Sequence, residues 1–255
     1  MSLRTTYPDP PKQVYFFGTC LVDMFYPEAG LAGMELIRRE GITVIFPQDQ
    51  TCCGQPAWNS GYREEASKVA AAQMACFPLD YPIVVPSGSC AGMMRHHYPR
   101  LFFGTPEYDR ALAFSERVFE LTEFLSRILK IKLVDLGKPV KAALHVSCSA
   151  RREMGVADEH QSLLRQLKNV ELVEQDHNEE CCGFGGTFAI KHADISATMV
   201  EDKANALVAT GATSLISGDC GCLMNIMGHL EYRNEKLRGS HIASFLWERT
   251  NATKR

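Results

Sequence analysis

Cys181-Cys182-Gly183-Phe184-Gly185-Gly186 is the stretch that organises this chain, because its first three residues occur twice. The same trio stands earlier as Cys52-Cys53-Gly54. The flanking cysteines keep matching distances. Cys20 lies 32 residues before Cys52, and Cys148 lies 33 before Cys181. Cys90 lies 37 residues after Cys53, and Cys220 lies 38 after Cys182, with Cys222 just beyond it. Nine of the ten cysteines thus fall into two copies of one pattern, and Cys76 is left over.

The segments between the cysteines repeat too. In the first copy, apolar runs at 14–17, 42–46 and 83–85 read as strands, and 26–40, 63–77 and 110–130 read as helices. In the second, 140–146, 170–173 and 214–216 read as strands, and 160–168, 193–209 and 223–233 as helices. His241 to Leu246 echoes Glu120 to Leu125. Alternation of this kind implies parallel sheets with right-handed crossovers. The expected fold is α/β: two tandem-duplicated lobes, each a small, mostly parallel sheet with flanking helices, related by a pseudo-two-fold. The repeats are 1–132 and 133–255, joined near Leu133 to Pro139. Ligands of such sheets gather at the carboxyl ends of the strands. The cysteines are expected on loops there.

The bulk numbers narrow the class. A chain of 255 residues that is 45% hydrophobic can bury one large core or two smaller ones. A net charge of −3 gives no basic field for nucleic acid. No apolar run approaches the roughly 20 residues that span a bilayer. Met1 to Lys12 carries three prolines and reads as an extended lead-in rather than a signal peptide. A cytoplasmic location follows as the expectation, and structural disulfides are rare there. Ten cysteines in that setting point to metal or redox chemistry.

Thiolates select iron–sulfur clusters, zinc or copper(I). Gly54 and Gly183 allow the backbone to pass close to a bulky inorganic group. The spacing is neither that of a zinc finger nor that of the dense bacterial ferredoxin run. Adjacent ligands on one turn grip two metal ions more easily than one. A polynuclear iron–sulfur cluster is therefore the first expectation, with zinc as the alternative occupant.

Five segments carry a family resemblance: Cys52-Cys53-Gly54-Gln55-Pro56-Ala57-Trp58-Asn59-Ser60-Gly61, Pro86-Ser87-Gly88-Ser89-Cys90, His145-Val146-Ser147-Cys148, Cys181 to Phe188, and Ser217 to Asn225. They resemble the cysteine-rich CCG domain of heterodisulfide reductase catalytic subunits and of iron–sulfur subunits in glycolate and glycerol-3-phosphate oxidation, and most of all its lactate-utilisation branch. The resemblance implies an iron–sulfur electron-transfer subunit of a cytoplasmic complex that oxidises L-lactate to pyruvate. It implies as partners a ferredoxin-like iron–sulfur subunit and a third small protein, and an oxidoreductase subunit rather than a complete enzyme. It implies one or two clusters, of the 4Fe-4S type. Cys148, Cys181, Cys182 and Cys222 are the first-choice ligands, Cys20, Cys52, Cys53 and Cys90 form the other set, and Cys220 is an extra candidate. The chain departs from the heterodisulfide reductase pattern, in which each set ends Cys-x-x-Cys: Met93 replaces the last thiolate of the first set, and the second ends Cys220-Gly221-Cys222. These losses argue against a disulfide-cleaving catalytic subunit. A zinc-binding or metal-free assembly platform is the remaining alternative.

Other residues have plainer readings. Cys76, on an Ala-rich helix, is expected to be a core cysteine. His145, inside a strand, is either a packed histidine or a hydrogen-bond donor to a ligating sulfur. His96-His97 reads as a solvated helix end, His177 as a loop residue, and Met94, Met224 and Met227 as helix packing. Arg151-Arg152 is surface charge or attracts an anion. Trp58 and Asn59 either shield a cluster or cap the next helix. Gly183-Phe184-Gly185-Gly186 lacks the last glycine of a dinucleotide fingerprint. No catalytic residue is assigned, and no flavin or nicotinamide motif is visible.

Overall fold

A computed structural model describes residues 4–251. The outermost residues of the lead-in and of the second repeat therefore lie outside the described residues. The first sheet has the order β2-β1-β3-β4, with β1 at Gln13–Phe16, β2 at Thr43–Ile45, β3 at Ile83–Val85 and β4 at Val118–Glu120. The second has the order β6-β5-β7-β8, with β5 at Val140–His145, β6 at Val170–Val173, β7 at Ser214–Ser217 and β8 at Arg238–His241. Every pairing in both sheets is parallel. Each lobe is thus the same four-stranded α/β unit, as the duplication implies.

Two strands differ from the sequence expectation. β4 interrupts the stretch 110–130, which divides into a helix at Tyr108–Glu116, the strand, and helical turns at 121–128. β8 likewise precedes the helix Ile242–Thr250. Both are only three or four residues long and flow directly into a helix, so their period is invisible beside the helical one. Pairing with β3 and β7 fixes them as strands. The cysteines also sit differently. Only the two adjacent pairs lie on loops. Cys20 opens the helix Cys20–Phe25, Cys90 lies in Gly88–Gly92, and Cys220 and Cys222 lie in the first turn of Cys220–Tyr232.

The lobes lean on each other reciprocally. The helix after β8, Ile242–Thr250, packs on Pro27–Arg38 of the first lobe, and the turn after β4, Leu121–Glu123, packs on Ala157–Leu164 of the second. One apolar core consequently runs from Phe16, Leu36 and Val84 through Phe124 and Leu125 to Leu163, Ile216 and Leu246. A smaller one lies behind the second sheet around Val200, Leu207, Leu223 and Ile226. Arg249 closes the junction by an ion pair with Asp135 at 2.8 Å, with both side chains almost wholly buried. Cys76 departs from the core expectation: it ends the helix Arg63–Ala75, half-buried, with its thiol on the Ala72 carbonyl at 3.4 Å.

Candidate metal centre

Both cysteine sets open into one cleft of about 320 Å³ between the carboxyl ends of the two sheets. All nine patterned cysteines line it, with Gln55 and Asn59 from the first lobe and Phe184, Gly185, Gly186 and Thr187 from the second. All ten cysteines are free thiols. The lobes meet over the opening, where Ser60 Oγ and Thr187 Oγ1 stand 2.7 Å apart and Lys191 lies over the Tyr62 ring.

Each adjacent pair is presented by the same backbone device. Gly54 and Gly183 take left-handed conformations, at φ 85° and 83°. Their amides then turn back to Cys52 Sγ and Cys181 Sγ, each at 3.4 Å. Glycine adopts this conformation without a steric penalty. In the first set Cys20 hydrogen-bonds Cys52, Cys52 hydrogen-bonds Cys53, and Cys53 Sγ lies 3.4 Å from Cys90 Sγ. In the second set the chain of contacts runs Cys148, Cys181, Cys182, Cys222 and on to His145.

The thiols are tuned unequally. Hydrogen bonds from Cys20, Cys53 and the Gly54 amide hold the Cys52 thiol well below its ordinary value, against the effect of burial. Cys148, Cys182 and the Gly183 amide do the same for Cys181. Their partners are pushed up: Cys20 and Cys148 by those same hydrogen bonds and by burial, Cys53 and Cys182 by theirs. Cys52 and Cys181 are therefore the first thiolates available to a soft metal.

Cys220 and Cys222 part company. Two residues apart on a helix point nearly opposite ways, at about 100° per residue. Cys222 Sγ faces Cys182, and with an imidazole nitrogen of His145 these atoms all lie within 4.8 Å of one another. Cys220 faces the first lobe and packs against Val22 and Ala29. Burial pushes its thiol up. Met93, in the place of a missing thiolate, is fully buried in the core.

A carboxylate that the cysteine pattern did not single out holds the floor of the cleft. Asp219 is buried at the start of the helix Cys220–Tyr232. Its Oδ1 accepts from Ser87 Oγ at 2.6 Å, Ser89 Oγ at 2.7 Å and the Ser89 amide at 3.1 Å, all from the first lobe. Ser147 Oγ of its own lobe donates to Oδ2. Burial alone would push this carboxyl up, but the hydrogen bonds from Ser147, Ser87 and Ser89 overcome it and keep the group low. The signal available in the sequence was a serine before Cys148 and serines before Cys90, each just past a strand.

The remaining candidates serve the scaffold. His97 is mostly buried rather than solvated, its ring tilted against Trp58 with centroids 5.1 Å apart and its Nε2 3.4 Å from Glu153. Arg151 pairs with Glu179, and Arg152 donates to the Glu179 carbonyl, so the two arginines hold the loop before Cys181. His177 pairs with Glu180 on that loop. Met94 is core, whereas Met224 and Met227 are half-buried.

Fold and site together describe a duplicated α/β protein built to present two thiolate sets to one cleft. The chain belongs to the CCG cysteine-rich domain family, whose pattern matches residues 14–95 and 142–227. It is 43% identical over 240 residues to lactate utilization protein A 2 of Bacillus cereus (strain Q1), covering 92% of this chain and 97% of that one. It is 45% identical over 235 residues to lactate utilization protein A of Shouchella clausii, covering 91% and 98%. Among solved structures, a hypothetical protein from Helicobacter pylori matches with a TM-score of 0.65 at 10% identity, over 97% of this chain and 50% of that chain. That likeness concerns the fold alone. No helix among the described residues is long and apolar enough to cross a membrane.

Proposed function

We propose that this chain is an iron–sulfur electron-transfer subunit that serves the oxidation of L-lactate to pyruvate. The observation that carries the reading is the convergence of two four-thiolate sets on a single cleft. The names of relatives that share over 40% of their residues across nearly their whole length supply the substrate. The donor set fits the cofactor: soft thiolates in two sets, with Cys52 held low in one and Cys181 and Cys222 in the other, the adjacent pairs presented on left-handed glycine turns. Cys148, Cys181, Cys182 and Cys222 would hold one cluster, and Cys20, Cys52, Cys53 and Cys90 a second. A cluster supplies a one-electron store, whereas oxidising lactate to pyruvate releases two electrons and two protons. The chain's own residues bury Cys53, Cys90, Cys182 and Cys222, half-bury the other four ligands, hold the lobes together through Asp219 and bridge them at Ser60 and Thr187. The dehydrogenating step and the onward acceptor belong to partners, a ferredoxin-like subunit and a third small protein, and the complex works in the cytoplasm.

The test is iron, acid-labile sulfide and zinc per chain in protein purified without oxygen, with growth of a deletion strain on lactate. About four irons with matching sulfide support one cluster, and about eight support two. Zinc alone, or no metal after anaerobic reconstitution, overturns the electron-transfer role in favour of an assembly platform.

A further inference from the structure

We propose that His145 is a nitrogen ligand of the second cysteine set, which makes that set a mixed imidazole–thiolate centre and leaves the first set all-thiolate. His145 ends β5, in register with Ser217 of β7, three residues before Cys148. Its ring is fully buried, neither Nδ1 nor Nε2 makes a well-formed hydrogen bond, and the polar group nearest to it is the Cys222 thiol. A ring nitrogen, Cys182 Sγ and Cys222 Sγ lie within 4.8 Å of one another, all buried. Donors around a tetrahedral metal, at bonds of about 2.0 to 2.3 Å, stand roughly 3.5 to 4 Å apart, so little closing is needed.

Two contrasts within the chain strengthen the assignment. The other two fully buried histidines are fastened by hydrogen bonds. His160 Nδ1 lies 2.8 Å from the Val156 carbonyl, and His241 Nε2 lies 3.1 Å from the Pro86 and Gly218 carbonyls. Orphaned buried nitrogens are the exception in folded proteins and call for an explanation. The second contrast is the duplication. The first lobe places Phe17 three residues before Cys20, and Phe17 is equally buried, 6.1 Å from the ring of Phe77. The fold therefore accepts a hydrocarbon ring at this position. The imidazole in the second lobe faces two sulfurs, and a metal bound there would replace its weak contact with the Cys222 thiol by a bond. Such a ligand would also set the two sets apart electronically, because replacing thiolate by imidazole raises a cluster's potential.

The assignment rests on the second set holding a metal, as the proposed function requires, but not on that metal being iron. The experiment uses the full chain labelled with 15N-histidine, loaded in one arm with iron and sulfide and reduced, and in the other with Co(II) alone. Pulsed electron paramagnetic resonance reads the nitrogen coupled to the metal. The expected result is a strong coupling that switches from 14N to 15N on labelling and vanishes in His145→Phe, which copies the first lobe. A cluster or cobalt signal without histidine coupling, or a coupling that survives in His145→Phe, overturns the proposal. The labelled wild-type protein decides the matter even if the variant misfolds. Histidine coupling to Co(II) without any iron–sulfur cluster upholds the ligand and sinks the electron-transfer reading. A cluster without histidine coupling does the reverse, and a chain that binds neither metal overturns both.

Discussion

Ser87 and Asp219, 132 residues apart in the chain, meet across the lobe boundary, with Ser87 Oγ donating to Asp219 Oδ1 at 2.6 Å. The carboxylate is buried, and the donors it accepts from among the described residues are hydroxyls and an amide. A hydrogen bond to a buried charge contributes about 1.5 to 3 kcal/mol, and removing the acceptor strands several donors at once. Ser87→Ala should therefore destabilise the metal-free protein by about 1.5 to 3 kcal/mol, and Asp219→Ala by more. Chemical denaturation of both single variants and the double variant checks this. The double variant should cost much less than the sum, because the two residues share one network.

Much of this organisation was legible in the residues, and the limits have physical causes. Spacing alone revealed the duplication, since Cys20, Cys52, Cys53 and Cys90 repeat as Cys148, Cys181, Cys182 and Cys222. Parallel sheets followed from alternating periods. β4 and β8 were hidden because three or four residues next to a helix carry no period of their own. Asp219 was hidden because its partners arrive from two segments, one in each lobe, a meeting that only tertiary structure creates. His145 was visible as a choice between packing and sulfur contact. Its neighbours Cys182 and Cys222 narrowed that choice.

His241 makes the inter-lobe contact sensitive to acid. Its Nε2 faces the Pro86 and Gly218 carbonyls as a donor, while Nδ1 accepts from the Ala243 amide at 3.2 Å and so caps the helix Ile242–Thr250. Protonating Nδ1 would remove the cap. Burial holds the imidazole down at about 4, against the pull of the Gly218 carbonyl and Asp219. The unfolded chain takes this proton first, near the ordinary value of about 6.5. The neutral ring's contribution is therefore complete above that value and is lost as the pH falls from there to about 4. The loss amounts to about 3 kcal/mol across the window. His241→Asn retains a side-chain cap without a titrating group. Unfolding free energy measured against pH should fall less steeply in this variant than in wild type over that window.

Two glycines should respond in opposite directions to alanine. A Cβ on Gly88 would lie 2.5 Å from the Ala150 Cβ of the other lobe. Gly88→Ala should push the lobes apart and destabilise by about 1 to 3 kcal/mol, the range for overpacking a tight contact. Gly228 lies within the helix Cys220–Tyr232, and a Cβ there meets nothing within 4 Å. Gly228→Ala should stabilise by about 0.5 to 1 kcal/mol, because alanine gives up less backbone freedom in a helix. Thermal unfolding of the two variants beside wild type reads both signs.

The helix that carries Cys220 and Cys222 offers the sharpest discrimination between ligand and bystander. Cys222 points at Cys182 and His145, whereas Cys220 points at Val22 and Ala29 of the first lobe. Cys222→Ser and Cys182→Ser should each abolish metal binding at the second set, because a hydroxyl is a poor replacement for a soft thiolate. Cys220→Ser should leave the metal in place and cost only packing and desolvation in its apolar pocket. Cys76→Ser, on a half-buried helix end away from the cleft, should change neither metal content nor growth on lactate. Iron and acid-labile sulfide per chain after identical anaerobic reconstitution separate these cases. Loss of as much metal in Cys220→Ser as in Cys222→Ser would show that Cys220 binds too, and that the first lobe's cluster draws a thiolate from the second.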